Sequence, residues 1–295
     1  LDPGWYKQSK VKRYTANVNT TYNIYKNLSL NLISNASYRQ QNAPGTMNST
    51  LDIASGKMSR GFDINPYSYA LNTSRTLDPS VDYISNYAPF NILHELDNNY
   101  IEINMVDVKF QGEMKWKVIQ GLELSALGAV RYQTSSQGHN VLDDANQAIA
   151  YRTGMDDATI REQNKLLYTD PDNPYALPIT LLPEGGIYQR QDRRMLGLDF
   201  RGTLSWNHLF AEKHITNFFA GMEVNSLQKT YSSFQGWGMQ YSMGEIPSYI
   251  YQFFKNGIES GSRYYSLGHS ETRSIASFFN ATYSYDGRYT LNGTF

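Results

Sequence analysis

Four segments of the chain alternate apolar and polar residues with a period of two, which is typical of β-strands that have one apolar face. They cover residues 13–39, 106–133, 196–224 and 275–295. Each segment contains two alternating runs joined by a short link, so each predicts a β-hairpin. In the last hairpin the link contains Asp286-Gly287, which is the signal for a type I′ turn. The pattern therefore predicts eight strands of about ten residues each.

Long links separate the hairpins, in contrast to the short links within them. They cover roughly residues 40–99, 134–192 and 226–272. Loops longer than about 15 residues are uncommon in compact domains. Short turns that alternate with long loops, on strands of about 9–11 residues, are typical of an outer-membrane β-barrel. The alternative is a soluble β-sandwich, whose strand faces would not be as charged as Asp107, Lys109 and Glu113 make this one.

Aromatic residues near the ends of the predicted strands support the barrel, because Tyr and Trp concentrate where a membrane meets water. They are Tyr22, Tyr38, Trp116, Tyr132, Trp206, Tyr283 and Tyr289. The predicted fold class is therefore all-β, a transmembrane antiparallel β-barrel.

Part of the second long loop has the residue spacing of helices. Leu142, Ala145 and Ile149 fall on one face of a predicted helix. Asp156 is a candidate N-cap for a second helix from Ile160 to Leu167, since an aspartate side chain accepts hydrogen bonds from the first amides of a helix. The extracellular loops are therefore predicted to be long and partly helical.

The composition excludes several classes of protein. The chain has 26 Lys+Arg against 27 Asp+Glu, and a near-neutral balance argues against a nucleic-acid partner. It has no Cys, which excludes a disulfide framework and Cys-ligated metals. A transmembrane helix needs about 18 consecutive apolar residues, and the longest uninterrupted apolar run covers only residues 148–151. The sequence therefore predicts no helical membrane span.

No catalytic constellation stands out, so the chain is not predicted to be an enzyme and no cofactor is predicted. The five histidines fall at no metal-ligand spacing, and the sequence contains no nucleophile elbow or phosphate-binding loop. Asp170 and Asp172 are candidate Ca²⁺ ligands without the other ligands of a calcium motif. A solvated turn is expected there, and no metal site.

Charged residues at the polar positions of the strands are expected to line a hydrated interior or to contact a plug. They are Arg13, Arg39, Asp107, Lys109, Glu113, Lys115, Glu123, Arg131, Asp199, Arg201 and Arg273. Both signs occur, so they predict no selectivity for anions or cations. Glu95 with Asp97, and Glu113 with Glu123, have the residue types of acid/base pairs, but ionic pairing in the lumen is the simpler interpretation.

The long loops are rich in aromatic residues that are candidates for binding a ligand. Aromatic faces provide a large apolar surface on which sugar rings or peptides can stack. The candidate ligand-binding residues are Tyr67, Tyr69, Trp237, Tyr241, Tyr249 and Tyr251. The alternative is that these rings pack the loops against one another or against a partner protein.

The closing run over residues 274–291, SIASFFNATYSYDGRYTL, resembles a characteristic hairpin of the SusC/RagA-like TonB-dependent outer-membrane transporters of Bacteroidota. The hairpins over 22–38 and 116–132 are similar to outer-membrane barrel hairpins in general. Transporter barrels of this kind close with about 22 strands around a plug. The resemblance therefore implies that residues 1–295 are part of one larger barrel domain, with the plug and remaining strands elsewhere. The alternative is a complete eight-stranded barrel.

This resemblance also implies a function, which is TonB-dependent import of a nutrient across the cell outer membrane. The implied partners are a SusD-like surface lipoprotein that forms a lid, the TonB–ExbB–ExbD energy system, outer-membrane lipid and an oligosaccharide or peptide ligand. One alternative is an outer-membrane barrel enzyme, such as a protease or lipase. Another is a passive porin or structural barrel, which would lack a plug and would not depend on an energised inner membrane.

Overall fold

One antiparallel β-sheet forms most of the structure. The computed structural model describes residues 9–45, 49–52, 57–60, 83–85 and 88–295. The strands are β1 (Lys10–Tyr25), β2 (Leu28–Pro44), β3 (Ser49–Asp52), β4 (Lys57–Arg60), β5 (Tyr83–Ser85), β6 (Ala88–Phe90), β7 (Asn99–Ile119), β8 (Leu122–Val141), β9 (Gly186–Phe210), β10 (His214–Gln240), β11 (Ile246–Pro247), β12 (Tyr265–Tyr285) and β13 (Tyr289–Thr294). The main sheet has the order β1-β2-β7-β8-β9-β10-β12-β13, and β11 pairs with β10.

All four predicted hairpins are present, as β1 with β2, β7 with β8, β9 with β10 and β12 with β13. Each hairpin also pairs in antiparallel fashion with the next one along the chain. The sheet is therefore an up-and-down meander with β1 and β13 at its two edges. The short turns lie at one end of this sheet, here called the turn end, and the long connections lie at the other, here called the loop end.

The strands are longer than the alternation predicts. From β1 to β12, the strands on the main path of the sheet have 16 to 27 residues instead of about ten. Strand β10 runs to Gln240, whereas the apolar alternation ends at Val224. Ladder hydrogen bonds join backbone groups only, so the strands stay paired where their side chains no longer alternate. The long connections are shorter as a result, and the one after β8 begins at Leu142.

Two of the turns depend on backbone conformations that most residues avoid. Asp286 has φ 51° and Gly287 φ 65°, and two successive positive φ angles define the predicted type I′ turn, which is confirmed. Gly121 has φ 85°, and a Cβ atom there would lie 2.0 Å from the carbonyl oxygen of Asn207. Glycine is therefore required at Gly121, where the turn between β7 and β8 contacts β9.

The two faces of the sheet differ as the alternation predicts. On the apolar face, Phe110 is 52% exposed, Leu198 46% and Ile275 71%. A contiguous exposed apolar surface of this kind is rare on soluble monomers and marks a surface that contacts lipid or protein. The opposite, polar face carries cross-strand ion pairs such as that between Asp107 and Arg131, whose closest atoms are 2.6 Å apart.

Arg273 lies on the apolar face, so the expectation that it faces the polar side is wrong. It pairs with Ser226, which lies two residues beyond Val224 on the same face. The cation is tolerated because it lies twelve residues before the end of β12 at Tyr285, and about ten residues of strand cross the hydrocarbon. It forms an ion pair of 2.7 Å with Glu271 toward the loop end.

Several short helices lie at the loop end. They are α1 (Ile92–Asn98), α2 (Asn146–Arg152), α3 (Ala158–Gln163) and α4 (Tyr251–Glu259), with a 3₁₀ turn over Tyr241–Met243. None of the helices in the described part of the chain is long and apolar enough to cross a membrane. The prediction of partly helical loops is confirmed, although α1 and α4 were not predicted.

The second predicted helix is displaced and shorter than expected. It is capped by Asp157 rather than Asp156, because the Asp157 carboxylate accepts hydrogen bonds from the amides of Thr159 and Ile160. It ends at Gln163 rather than at Leu167. The side chain of Asn164 donates to the Ala150 carbonyl instead, and this bond directs the chain back toward α2.

The assignment of faces predicts opposite effects of an added cation at two adjacent positions of β7. Phe110→Arg should impair assembly into the membrane, since a midplane arginine on a lipid face costs about 2–4 kcal/mol. Gln111→Arg, one residue along and on the polar face, is the matched control and should assemble normally. Heat-modifiable migration of the intact protein in outer-membrane fractions measures both. Equal assembly of the two variants would contradict the assignment.

Candidate ligand-binding site

At the loop end, the strands are covered by the connecting segments 91–98, 142–185 and 241–264, here called the cap, which lie mainly on the polar face of the sheet. The register places Asn99, Val141, Ile187 and Trp237 side by side on the polar face. The hydrophobic cluster of the cap consists of Val141, Ala145, Ala148, Leu182 and Ile187, with Tyr151 and Trp237 packed against it. The cap is therefore joined to the sheet by a small apolar core that strands and connections share.

Beside this core lies a buried network of polar side chains. Glu95 of α1 accepts hydrogen bonds from the Asn99 amide (2.7 Å) and from the backbone N–H of Asn146 (2.5 Å). His139 Nε2 lies 2.7 Å from the Asn99 side-chain oxygen, which assigns the proton to Nε2. A Cβ atom on Gly45 would lie 1.7 Å from that oxygen. The network therefore joins α1, α2 and β8, and it requires a glycine at the end of β2.

Burial changes the protonation of two members of this network. Loss of solvent raises the pKa of Glu95, although hydrogen bonds from Asn99 and Asn146 oppose the shift. Burial also lowers the pKa of His139 from 6.5 to about 4, against a hydrogen bond with Gln189. A neutral His139 is the form that the folded cap favours at neutral pH.

Two charged side chains fasten the cap segments to one another. Arg152 donates to three backbone carbonyls, those of Asp143, Leu182 and Gly185. The Asp143 carboxylate accepts a hydrogen bond of 2.9 Å from the backbone N–H of Tyr241. The connections after β8 and after β10 are thus held together by bonds to charged groups, which are stronger than neutral ones.

Three carboxylates surround the amino group of Lys255 on α4. The Nζ atom lies 2.5 Å from Asp170, 2.7 Å from Asp172 and 3.6 Å from Glu259, and Tyr168 donates to Glu259. Hydrogen bonds to the two aspartates raise the pKa of Lys255. The three oxygens are close enough to hold a metal ion, but the lysine ammonium already provides the positive charge. The turn is exposed to solvent as expected, and Asp170 and Asp172 also join it to α4 through Lys255.

Aromatic side chains line a cleft of about 700 Å³ between β10, α4 and the start of β12. Their ring centroids form a chain with separations of 5.0–5.5 Å, through Trp237, Phe253, Phe254, Tyr264 and Tyr265. Ligand pockets commonly have volumes of about 300–1,000 Å³ and mainly apolar walls. This aromatic cleft therefore has the size and lining of a site for a small ligand or a side chain.

The predicted aromatic ligand residues have different structural roles. Trp237 lines the cleft but also packs on Tyr151 at 4.7 Å. Tyr241 donates hydrogen bonds to the Asn140 side chain and the Ile187 carbonyl, so it holds the cap to the sheet. Tyr249 packs against Phe254 at 6.0 Å, and Tyr251 is 73% exposed at the start of α4. Tyr67 and Tyr69 lie outside the described residues.

The ionic pairing expected for the strand charges is present in part. Arg201 binds Glu223 across the polar face with a closest distance of 2.6 Å. Glu113 lies 3.4 Å from Lys115, as expected of a structural pair. Glu95 contradicts the expectation, since it is fully buried and hydrogen-bonded to amide groups. Helix α1 was not predicted, so nothing in the sequence indicated that this carboxyl is buried.

The candidate ligand-binding residues left out several side chains that shape the site. Phe253, Phe254 and Tyr264 line the cleft, and their enrichment in the third loop was the available signal. Arg152 and His139 act only through partners that are distant in the sequence. No local pattern marks such residues.

Comparison with known proteins gives similarity to solved structures only. No family model matches the chain, and no sequence among the curated proteins does. The chain is similar to the structure of the RagAB peptide transporter, with a TM-score of 0.59 and 13% identity over 97% of this chain and 27% of that one. The RagAB peptide importer in the closed-closed state gives a TM-score of 0.56 with the same identity and coverage. The ferric yersiniabactin uptake receptor FyuA from Yersinia pestis gives a TM-score of 0.41 at 8% identity.

At 13% identity, the similarity to the RagAB structures is a similarity of fold. The chain spans about a quarter of the length of the RagAB chains it matches. Together with the exposed apolar face, the match confirms the predicted fold class, an all-β antiparallel sheet of the kind found in transmembrane β-barrels.

We expect the stability of the cap to depend on pH through His139. Its pKa is about 4 in the folded cap and 6.5 ordinarily. Below pH 6.5, a cap that has opened and exposed His139 to water therefore binds a proton more readily than the folded cap does. The free energy of opening the cap should therefore decrease as the pH is lowered from 6.5 to about 4, by at most about 1.4 kcal/mol per pH unit. His139→Gln should remove this contribution, which hydrogen exchange of the α1 and α2 amides at pH 7 and pH 5 measures.

The control for this experiment is His269→Gln, which changes an exposed histidine of β12 outside the cap. It should keep the wild-type pH dependence. Glu95 contributes with the opposite sign, because its raised pKa favours the cap at low pH, but that contribution is common to all three proteins. An identical pH dependence in wild type and His139→Gln would contradict the role of His139.

Proposed function

We propose that this chain is part of the wall of an outer-membrane transporter that imports a nutrient with energy from the inner membrane. The observation that carries the proposal is the contrast between the faces of one continuous sheet. Exposed apolar side chains such as Phe110 and Leu198 occupy one face, and ion pairs and the cap occupy the other. Such a sheet is stable where one face meets lipid and the other meets water.

The cap favours a gated transporter over an open pore. Its segments fold onto the polar face, where they share an apolar core and a buried polar network with the strands. A passive porin needs a clear water-filled lumen. An outer-membrane enzyme would need a nucleophile or acid/base group in contact with a substrate, and the described carboxylates on the polar face support a structural role, as in Arg201 with Glu223.

The intact protein is proposed to be a larger plugged barrel in the outer membrane, of which residues 1–295 form one part. The two edge strands of the described sheet, β1 and β13, would then continue into further strands. A SusD-like surface lipoprotein is proposed as a lid over the cap, and the TonB–ExbB–ExbD system as the energy source. The length ratio to the RagAB chains, about one quarter, supports the larger barrel.

The proposed ligand is an oligosaccharide or a peptide. The RagAB structures are those of a peptide transporter, which favours a peptide, while the aromatic cleft suits either class. Stacked rings bind the C–H faces of sugars as well as apolar side chains, and an aromatic contact contributes about 0.5–1.5 kcal/mol beyond the area that it buries. Trp237, Tyr249 and Tyr251 remain candidate contacts beside Tyr264 and Tyr265.

Energy dependence is the test of the transport proposal. Cells that produce the intact protein should take up fluorescent tryptic peptides of casein, or labelled maltooligosaccharides, and disrupting TonB or dissipating the proton gradient should abolish that uptake. The assembly-defective Phe110→Arg variant is the negative control. Uptake that continues without TonB would indicate a passive porin, and no uptake of either probe would contradict import of these two ligand classes.

The aromatic cleft predicts a loss of ligand capture that leaves the barrel intact. Tyr264→Ala combined with Tyr265→Ala should weaken binding of the transported probe about tenfold, since two stacking surfaces are removed. Both residues are about half exposed, so assembly should be unaffected. Tyr175→Ala is the matched control, because Tyr175 is 95% exposed and does not line the cleft. Equal affinity in the double variant and the control would exclude the cleft as the capture site.

A further inference from the structure

A second cavity lies on the polar face of the sheet, nearer the turn end than the cap. Its volume is about 580 Å³. Side chains of the polar face that line it include Met105, Gln133, Ser135, Arg193, Lys229 and Tyr231. This basic cavity contains no residue of the aromatic cleft, and the charge balance of the sequence gives no sign of it.

The strand register brings these side chains together. Met105 pairs with Ser135, Ser135 with Arg193, and Arg193 with Tyr231, so these four residues form one row across four strands. The neighbouring row contains Gln133 and, two strands further on, Lys229. Positions in successive rows on one face are two residues apart along each strand, so the two cations point to the same side as the paired charges of the polar face.

The guanidinium group of Arg193 is held in place by an aromatic ring, and no carboxylate that the structure describes balances its charge. Its Cζ atom lies 5.7 Å from the ring centroid of Tyr231, a cation–π contact that restricts the side chain and leaves its N–H groups available. Among the described residues, no carboxylate lies within ion-pair distance of Arg193 or Lys229. By contrast, Arg131 on the same face is paired with Asp107 at 2.6 Å.

The position of the cavity along the strands places it relative to the membrane. Arg193 is seventeen residues from the end of β9 at Phe210, and about ten residues of strand cross the hydrocarbon. The cavity is therefore above the membrane band and within the proposed barrel. It is six residues from the cap row at Ile187 along the same strand, which corresponds to about 20 Å.

Uncharged polar side chains line the path between the cap and this cavity. The row halfway between them contains Gln137, Gln191, Ser233 and Ser266. A ligand that leaves the cap toward the turn end would meet amide and hydroxyl groups first and the two cations next.

We propose that Arg193 and Lys229 form a binding site for a carboxylate group of the imported ligand, below the cap. The inference rests on the proposed transport function and specifies the ligand chemistry. An arginine binds a carboxylate with two parallel hydrogen bonds, and the lysine adds a second positive charge. The apolar side chains of Met105 and Tyr231 reduce the local polarity, which strengthens attraction between opposite charges.

The test uses the intact detergent-purified protein and paired probes, in each of which one member carries the carboxylate group or groups that the other lacks. The first pair is a set of octapeptides with a free C-terminal carboxylate and the same set amidated. The second is oligogalacturonate and maltooligosaccharide of equal length. Wild type should bind the carboxylate-bearing member of at least one pair about tenfold more tightly, and the pair that shows the difference identifies a peptide or an acidic sugar as the source.

The Arg193→Gln, Lys229→Gln double variant should lose this preference while its affinity for the neutral probe is unchanged. Arg201→Gln is the matched control, because Arg201 lies further along the same face of β9, outside the cavity, and is paired with Glu223. It should retain the preference. A preference that survives in the double variant, or that is absent from wild type, would overturn the proposal.

Two further results separate this inference from the proposed function. Energy-dependent uptake of the neutral probes without a carboxylate preference would overturn the binding site and leave import standing. A double variant that fails to assemble, measured by heat-modifiable migration, would indicate that the two cations contact another part of the barrel, and this result would also overturn the ligand site. Uptake independent of TonB would instead contradict the transport function.

Discussion

The structure depends on an unbroken ladder of backbone hydrogen bonds across the eight paired strands of the sheet. Antiparallel pairing fixes the register, and the register decides which side chains share a face. A shift by one residue would move Phe110 to the side of Asp107 and expose the charge to hydrocarbon. The same ladder satisfies the backbone groups that lipid cannot hydrogen-bond. Apolar face, ion pairs, cap and cavity all follow from this one register.

The cap shows how the polar face is closed at the loop end. A purely apolar interface between loops and strands was not available there, since that face carries polar residues. The chain instead combines a small cluster around Val141 and Ile187 with a network around Glu95, Asn99 and His139. Buried polar groups are tolerated only when they are hydrogen-bonded, so these residues determine one arrangement of α1 and α2 on the sheet.

The two candidate sites differ in the interaction that each offers to a ligand. The aromatic cleft presents rings such as Tyr264 at the loop end, where stacking tolerates many ligands. The basic cavity around Arg193 lies further along the same face, where a ligand with a carboxylate group would bind more tightly than one without it. A broad contact followed by a charge-specific one is a reasonable order for selective import, because the second contact is made only by ligands that have passed the cap.

Much of the fold was predictable from local pattern. Period-two alternation identified all four hairpins, and Asp286-Gly287 identified its turn, because both signals depend only on residues close together in the chain. The strand ends were not predictable. Beyond Val224 the side chains no longer alternate, yet β10 continues to Gln240 because its backbone stays paired with β12 to Phe234 and with β9 to Met239. Arg273 was predicted on the wrong face because the prediction used its charge alone, whereas the strand pairing decides on which face it lies.

The sequence alone determined a sheet with one lipid-soluble face and one polar face, together with the resemblance of residues 274–291 to a transporter hairpin. Only the tertiary structure decided which polar residues meet. Asn99 and His139, or Lys255 and Asp170, are far apart in the chain and carry no local signal. Register and loop folding bring them within hydrogen-bonding distance, and burial then changes their chemistry. The physical reason is that strand periodicity is encoded residue by residue, whereas a site is encoded by contacts between distant segments.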